Sequence, residues 1–236
     1  MLLKQRKEKK LDFTFLSKIP LFHGMEETEI EDIMHCFDGY TRKYSKGETI
    51  YHMGEIVTKI GIVLSGNVHI EKDDVWGNKS ILDSIGPGQV FAETYVCIPG
   101  EPLMVSVAAS ETAEILFMDI GKRLTACEKN CSCHNQLTQN LLMISAHKNL
   151  NLSRKIFHTS SKSIRGRLLS YLSEQAARQE SMKFTIPFNR QQLAEYLGVD
   201  RSAMSNELSK MQKEGMLTFS RNQFCLKGET SGELYM

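Results

Sequence analysis

The chain has 236 residues, of which 41% are hydrophobic and 24% are charged, with a formal net charge of +1. This composition excludes extensive disorder, and the length allows two domains that each bury a core. Because no run approaches the ~18 apolar residues of a membrane helix, and because the basic tail at residues 1–11 lacks the features of a signal peptide, we expect a cytoplasmic protein without a membrane partner.

Short β-rich runs separated by glycines fill residues 44–118. Examples are the runs at residues 61–65 and 67–70, and a Gly-Asn pair at residues 77–78 is typical of a hairpin turn. Many short strands at near-regular spacing predict a barrel or a sandwich. A lobe of this kind often encloses a small-molecule cavity, although an interior filled by side chains is equally allowed.

A cluster of thiols and one imidazole follows this lobe. If the segment is helical, Cys127, Cys131 and His134 lie at i, i+4 and i+7 on one face. Reduced thiols are expected in a cytoplasm, and thiolate and imidazole groups are suited to hold zinc or another soft metal, or to react with an oxidant. The alternative is ordinary packing of small apolar side chains. Three further cysteines lie alone in apolar runs and are predicted to be core residues: Cys36, Cys97 and Cys225.

A helical stretch is predicted from about residue 121 to residue 153. It carries two apolar seams, one formed by Leu137, Leu141, Ile144 and Leu150 and the other by Leu142, Ala146 and Leu152. Two apolar faces are more than one globular contact needs. One face is therefore predicted to pack on the β-rich lobe and the other to pair with a second copy in a homodimer, and a single long buried helix is the alternative.

Residues 188–217 predict two capped helices joined by a glycine turn. Asn189 and Gln192 have the spacing of a capping box. Gly198 ends the first helix, and Asp200 starts the second. The second helix has an inward apolar stripe of Met204, Leu208 and Met211, and its first outward turns carry Arg201, Ser202, Ser205 and Asn206. This pattern is typical of a DNA-binding helix-turn-helix, and an ordinary helical hairpin is the alternative.

Two further features favour DNA binding over a plain hairpin. Residues 216–226 form two short apolar runs around Ser220-Arg221-Asn222, which predict a β-hairpin wing. Residues 154–227 contain 13 Lys and Arg against 6 Asp and Glu, whereas residues 12–153 contain 11 against 19. A basic C-terminal module suits the phosphate backbone of a nucleic acid.

In this order and spacing, four motifs resemble the catabolite-activator (Crp/Fnr) family of bacterial transcription regulators, over nearly all of residues 12–227. The motifs are Lys46-Gly-Glu-Thr-Ile-Tyr-His-Met-Gly-Glu, Val63-Leu-Ser-Gly-Asn-Val, Ile85-Gly-Pro-Gly-Gln-Val-Phe-Ala-Glu and Asn189-Arg-Gln-Gln-Leu-Ala-Glu-Tyr-Leu-Gly-Val-Asp-Arg-Ser. The resemblance implies an α+β chain with a β-roll (jelly-roll-like) effector domain, a long dimerisation helix and a C-terminal winged helix-turn-helix.

The chain departs from the cyclic-nucleotide-binding members of that family. Their ribose-holding Gly-Glu pair is Ala92-Glu93 here, and the segment that should hold the cyclic phosphate, residues 99–107, contains no Arg or Lys. A buried phosphate without a cationic partner carries a large desolvation cost, so cyclic AMP is not expected to bind. The identity of the effector is left open, and its candidate lining consists of Glu93, Met104, Val105 and Ser106.

The resemblance also implies which side chains meet DNA. Residues expected at base edges in the major groove are Arg201, Ser202, Ser205 and Asn206, with Arg201 suited to O6 and N7 of guanine. Residues expected at phosphates are Arg190 and Gln191 at the start of the first helix and Ser220, Arg221 and Asn222 at the wing tip.

No nucleophile elbow, phosphate-binding loop or paired-carboxylate motif appears, so an enzyme is not expected. The predicted order is a basic tail at 1–11, an effector domain at 12–120, a dimerisation helix at 121–153 and a DNA-binding domain at 154–236. The predicted function is a homodimeric transcription regulator that binds a near-palindromic site in double-stranded DNA, with RNA polymerase as a partner if it activates. The alternative is a small-molecule- or metal-binding sensor module without sequence-specific DNA binding.

Overall fold

The computed structural model describes residues 11–73, 79–121 and 132–227. The chain divides into two units, Met1–His147 and Lys148–Met236, and the boundary falls inside one long helix. Among the described helices, none is both long and apolar enough to cross a bilayer.

The first unit begins with short helices that cover one side of the β-rich lobe. They are α1 (Phe13–Leu16), a 3₁₀ turn (Pro20–Phe22) and α2 (Glu27–Cys36). Asp12 caps α1, since its carboxylate accepts a hydrogen bond from the Phe15 N–H at 2.9 Å. A capping box between Glu26 and Glu29 starts α2. These helices bury Leu16, Phe22, Ile30 and Ile33 in the core of the first unit.

Two four-stranded antiparallel sheets form the lobe, which confirms the predicted roll. The elements are β1 (Tyr40–Tyr44), β2 (Thr49–Tyr51), β3 (Ile60–Ser65), β4 (Val68–Asp73), β5 (Lys79–Ile85), β6 (Val90–Phe91), α3 (Glu93–Cys97), β7 (Ser106–Ala109) and β8 (Ala113–Met118). The strand orders are β1-β8-β3-β6 and β2-β7-β4-β5. Residues of both sheets share one apolar cluster, including Val63 and Ile115 of one sheet and Val107 of the other.

Aromatic side chains occupy part of the interior between the sheets. The Tyr51 ring lies 6.0 Å from the ring of Phe91 and 5.9 Å from that of Phe117, centre to centre. The Tyr51 hydroxyl donates a hydrogen bond to the Lys59 carbonyl at 2.9 Å, so its polar atom is satisfied. Phe91 packs directly over Gly61, where a Cβ would approach the ring Cζ to 2.0 Å. The sequence allowed either an enclosed small-molecule cavity or an interior filled by side chains. Around Tyr51, this aromatic packing favours the filled interior.

The long helix α4 (Ser132–Thr159) continues six residues past the predicted end at 153. No glycine or proline interrupts it, so nothing in the sequence breaks the helix before its end at Thr159. Leu137 and Leu141 are buried in the core of the first unit. The buried Asn140 amide donates hydrogen bonds to the carbonyls of Leu21 and His23, both at 2.9 Å, and so fixes this part of the helix.

The second unit is a winged helix. Its elements after α4 are α5 (Ile164–Arg178), β9 (Lys183–Thr185), α6 (Arg190–Leu197), α7 (Arg201–Lys213), β10 (Leu217–Ser220) and β11 (Gln223–Leu226). The wing has a third strand that was not predicted from the sequence. This strand is β9, which pairs with β11 in the order β10-β11-β9. The core joins α5, α6, α7 and the wing through Leu172, Leu197, Leu208 and Phe224.

Candidate nucleic-acid interface

The predicted caps of the helix-turn-helix are present. The Asn189 side chain accepts from the Gln192 N–H at 3.0 Å, and the Gln192 side chain accepts from the Asn189 N–H at 2.9 Å. Gly198 ends α6 in the left-handed region at φ 63°. The Asp200 carboxylate accepts from the Ala203 N–H at 2.8 Å and from the Ser202 hydroxyl, so it starts α7. These bonds to Ser202 and Ala203, with Ser202 contributing most, lower the pKa of Asp200.

The two faces of α7 divide as predicted. Its inward stripe, Met204, Leu208 and Met211, is fully buried. Its opposite face leaves Arg201, Ser202 and Asn206 exposed and Ser205 half-buried. The Ser205 hydroxyl donates to the Arg201 carbonyl at 2.9 Å, and the Ser202 hydroxyl donates to Asp200, so both hydroxyls are left with acceptor capacity towards a ligand.

Two arginines of α5 hold the helix-turn-helix in place, and no sequence signal had singled them out. The Arg167 guanidinium donates to the carbonyls of Leu197 and Gly198 at 2.9 and 3.0 Å, which satisfies the end of α6. Arg165 donates two hydrogen bonds to Glu214, at 2.8 and 2.9 Å, and a third to Glu207 at 2.6 Å. Its hydrogen bonds hold the pKa of Glu214 below its usual value. Arg167 therefore fixes the end of α6 against α5, and Arg165 fixes α7 against α5.

A cleft of about 640 Å³ lies between α6, the start of α7 and the wing turn. Five of the nine residues predicted to contact DNA line it: Arg190, Gln191, Arg201, Arg221 and Asn222. The remaining four lie on the outward face of α7 and at the exposed end of β10. The fold therefore gathers predicted base-reading and phosphate-binding residues from separate elements on one surface.

Arg190 does not project freely from the first turn of α6. Its guanidinium lies 4.6 Å from the ring centre of Phe219 and 5.0 Å from that of Phe224, both on the wing. Burial lowers the pKa of Arg190, and its Nη2 atom is buried without a hydrogen-bond partner among the described residues. Arg190 is thus stacked on the wing as well as placed beside the cleft.

Two of the other four predicted phosphate-binding side chains, those of Gln191 and Asn222, have hydrogen-bond partners of their own. Gln191 donates to Glu195 at 2.8 Å, and Asn222 donates to the Ile186 carbonyl at 3.2 Å, which ties the wing turn to the segment after β9. Arg221 is exposed at the tip of the wing with φ 52°, in the left-handed region that turns the hairpin. Ser220 precedes it as an exposed residue at the end of β10.

The four effector candidates occupy different environments. Glu93 is 4% exposed at the start of α3, and the preceding Ala92 adopts φ 65°, where glycine is favoured. Met104 is 68% exposed, so it does not line an enclosed cavity. Val105 is half-buried, and the Ser106 hydroxyl accepts from the Met53 N–H at 3.0 Å.

The cysteine cluster lies mostly outside the described residues, since Cys127 and Cys131 belong to the segment between 121 and 132. His134 is half-buried on α4, with its ring edge-on to Phe37 at 5.1 Å. Both ring nitrogens are buried without a hydrogen-bond partner among the described residues. In ranges 11–73, 79–121 and 132–227, no three His, Cys, Asp or Glu side chains form a metal-binding group.

Three isolated cysteines were predicted to be core residues, and this prediction is wrong for Cys97. Cys97 is exposed, because α3 ends there after five residues and buries Val96 instead. Cys36 is half-buried and packs against the core of the first unit. Cys225 is half-buried in the wing.

Comparison with known proteins defines the class to which these two units belong. Residues 41–130 match the cyclic nucleotide-binding domain, and residues 166–228 match the Crp-like helix-turn-helix domain. A cyclic-nucleotide-type roll followed by a winged helix defines a DNA-binding transcription regulator. The chain belongs to the Crp/Fnr family, whose members are transcription regulators rather than enzymes.

Similar sequences and structures agree with this assignment. The chain is 24% identical to the cAMP-activated global transcriptional regulator CRP of Haemophilus influenzae, with 78% of this chain and 81% of that protein covered. It is 24% identical to the cyclic AMP receptor protein of Thermus thermophilus, covering 84% and 88%. The structure of CprK complexed with OCPA matches with a TM-score of 0.58 and 16% identity, covering 84% of this chain and 90% of that one. The c-di-GMP responsive regulator CLP of Xanthomonas campestris matches with a TM-score of 0.51 and 19% identity, covering 86% and 100%.

Proposed function

We propose that this chain is a homodimeric regulator that reads a near-palindromic DNA site and responds to a signal other than cyclic AMP. The observation that carries the proposal is the polar outer face of α7 beside a cleft lined by Arg190, Arg201 and Arg221. Cations positioned around a recognition helix serve both phosphate binding and base reading. RNA polymerase is a further partner if the protein activates transcription.

Base reading is assigned to the first two turns of α7. The exposed Arg201 guanidinium is suited to a bidentate contact with O6 and N7 of guanine, and the exposed Asn206 amide is suited to adenine. Ser202 and Ser205 supply the remaining polar contacts. Arg190, Gln191, Ser220, Arg221 and Asn222 are assigned to phosphates on either side.

Selection of binding sites from random duplexes, followed by affinity measurement, tests this assignment. Arg201→Ala should cost about 1–3 kcal/mol on the selected site and relax one base position. Lys213→Ala removes the same charge from the exposed far end of α7 and should keep the sequence preference. Equal behaviour of the two variants would contradict the assignment. Absence of duplex binding at any salt concentration would instead favour a sensor module without DNA recognition.

Dimer formation is assigned to an exposed apolar stripe of α4. The stripe consists of Leu142, Met143, Leu150, Leu152, Ile156 and Phe157, which are between 46% and 69% exposed. At 100° per residue these side chains span roughly half of the helix circumference. A contiguous apolar surface of this kind is typical of an interface, and two copies of one helix can pair along it.

The oligomeric state of charged variants tests the stripe. Leu142→Glu combined with Ile156→Glu should convert a dimer into a monomer in sedimentation equilibrium, because burying two carboxylates at a helix seam is costly. Met182→Glu replaces a comparably exposed side chain outside α4, at 49% exposure, and should remain dimeric. A wild-type monomer at micromolar concentration would refute the dimer.

A signal other than cyclic AMP is supported by the absence of cations from residues 99–107 and by the aromatic packing around Tyr51. Two relatives carry names that refer to cyclic AMP, so the test must be direct. Millimolar cyclic AMP and cyclic GMP should change neither the DNA affinity nor the melting temperature. The melting temperature is a sensitive readout, because even weak binding to the folded state would raise the stability of the protein. A clear rise in melting temperature would overturn this part of the proposal.

A metal or redox role for Cys127, Cys131 and His134 stays a prediction. The ring nitrogens of His134, which are buried without a hydrogen-bond partner among the described residues, are compatible with a ligand role. Two measurements test this role. One is metal analysis of protein purified anaerobically, and the other is whether a Cys127→Ser/Cys131→Ser variant still regulates its DNA target normally. A metal-free protein with ordinary thiols and normal regulation of the variant would leave packing as the role of these residues.

A further inference from the structure

A cavity of about 530 Å³ lies in the second unit, away from the DNA-facing cleft. The last turns of α4, the C-terminal half of α5, the segment before α6 and α6 itself all contribute to its walls. Its volume lies within the range of sites for small organic molecules. None of the functions assigned above uses it.

One wall of this cavity is aromatic. The rings of Tyr171, Phe188 and Tyr196 lie 5.1–6.0 Å from one another, centre to centre. Burial raises the pKa of Tyr171 and of Tyr196, so both phenols remain protonated at neutral pH and are able to donate hydrogen bonds. A wall of this kind is suited to stack a flat ring and to bind an acceptor group at its edge.

Among the described residues, the charged groups of the cavity leave one cation without an ion-pair partner. Glu174 forms an ion pair with Arg154 at 3.2 Å and lies against the buried His158, so Arg154 compensates its negative charge locally. Arg178 lies on α5 four residues further along and is exposed at the cavity. It forms no ion pair with any residue in the described ranges. The site therefore offers a free guanidinium beside an aromatic wall.

We propose that this cavity binds a small aromatic carboxylate, with the ring against Phe188 and Tyr196 and the carboxylate on Arg178. A guanidinium binds a carboxylate through two parallel hydrogen bonds, which gives the site its preference for an anion. The aromatic wall gives the preference for a flat ring over a saturated one. Such a ligand contacts α4, α5 and α6 together and thereby links the long helix to the helix-turn-helix.

Calorimetric titration of the full chain with 4-hydroxybenzoate, in the absence of DNA, tests this site without reference to the DNA target. Saturable binding is expected, with at least tenfold weaker binding of benzamide, which lacks the charge, and of cyclohexanecarboxylate, which lacks the flat ring. Arg178→Gln should weaken 4-hydroxybenzoate binding at least tenfold, and Arg178→Lys should weaken it less. Lys183→Gln removes a cation from the same unit outside the cavity and should bind as the wild type does.

Three results would overturn the proposal. The first is no saturable binding of 4-hydroxybenzoate at millimolar concentration. The second is equal affinity for benzamide, which would remove the role of the charge. The third is an equal loss in Arg178→Gln and Lys183→Gln, which would show a general effect of net charge. A chain that fails to bind DNA while passing this titration would refute the proposed function and leave the site intact.

Discussion

Replacing Arg190 by alanine separates two roles that the structure gives to one guanidinium. The group stacks on Phe219 and Phe224 of the wing at 4.6 and 5.0 Å, and it also borders the cleft that is proposed to receive DNA. A cation over an aromatic ring contributes about 0.5–1 kcal/mol when exposed and about 2 kcal/mol when desolvated. Because Arg190 is half-buried against two rings, we expect Arg190→Ala to destabilise the second unit by about 1–2 kcal/mol.

This loss is large enough to measure by melting. For a domain of this size, each kcal/mol lowers the melting temperature by about 4–8 °C. The DNA role is measured separately, by fluorescence anisotropy across a series of KCl concentrations with the selected site and with random duplex. Loss of one phosphate contact should weaken both duplexes alike and reduce the slope of log affinity against log salt by about one.

The control is Arg221→Ala at the wing tip, which has the same charge and is exposed. It should lower the salt slope by about one and shift the melting temperature by no more than about 2–4 °C, because surface substitutions away from packed contacts cost within about 0.5 kcal/mol. An unchanged melting temperature in Arg190→Ala would refute the stacking argument. Unchanged affinity for random duplex would show that Arg190 holds the wing and does not contact phosphate.

Three further outcomes follow from single backbone or side-chain features. Ala92→Gly should raise the free energy of unfolding by about 0.5–1 kcal/mol in urea titrations, because the relief of left-handed strain exceeds the extra entropy of glycine in the unfolded chain. Gly61→Ala should cost about 1–3 kcal/mol through the clash with Phe91, whereas Gly86→Ala has room for its Cβ and serves as the control. Asp200 has a folded pKa below its unfolded value, so its contribution is present above the normal aspartate range and is lost as the pH falls through the folded pKa. The difference in melting temperature between wild type and Asp200→Ala should therefore be largest at neutral pH and shrink in acid.

Features encoded within a few consecutive residues were predictable from the sequence. The capping box of Asn189 and Gln192, the left-handed Gly198 and the buried stripe of α7 each depend on spacings of three or four residues. Local hydrogen bonds and helical periodicity decide such features, and the chain folds them as the sequence indicates. The glycine-punctuated roll was predictable for the same reason, since turn residues mark the ends of its strands.

Features that join distant segments were decided by tertiary structure alone. Arg190 meets Phe219 and Phe224 only because the wing folds back onto α6, and Arg165 reaches Glu214 across 49 residues of sequence. Cys97 lies in an apolar run yet is exposed, since the short α3 turns Glu93 and Val96 inward. In each case the sequence supplies the chemical group, but its partner is chosen by how the core closes, because burial and packing depend on elements far apart in the chain.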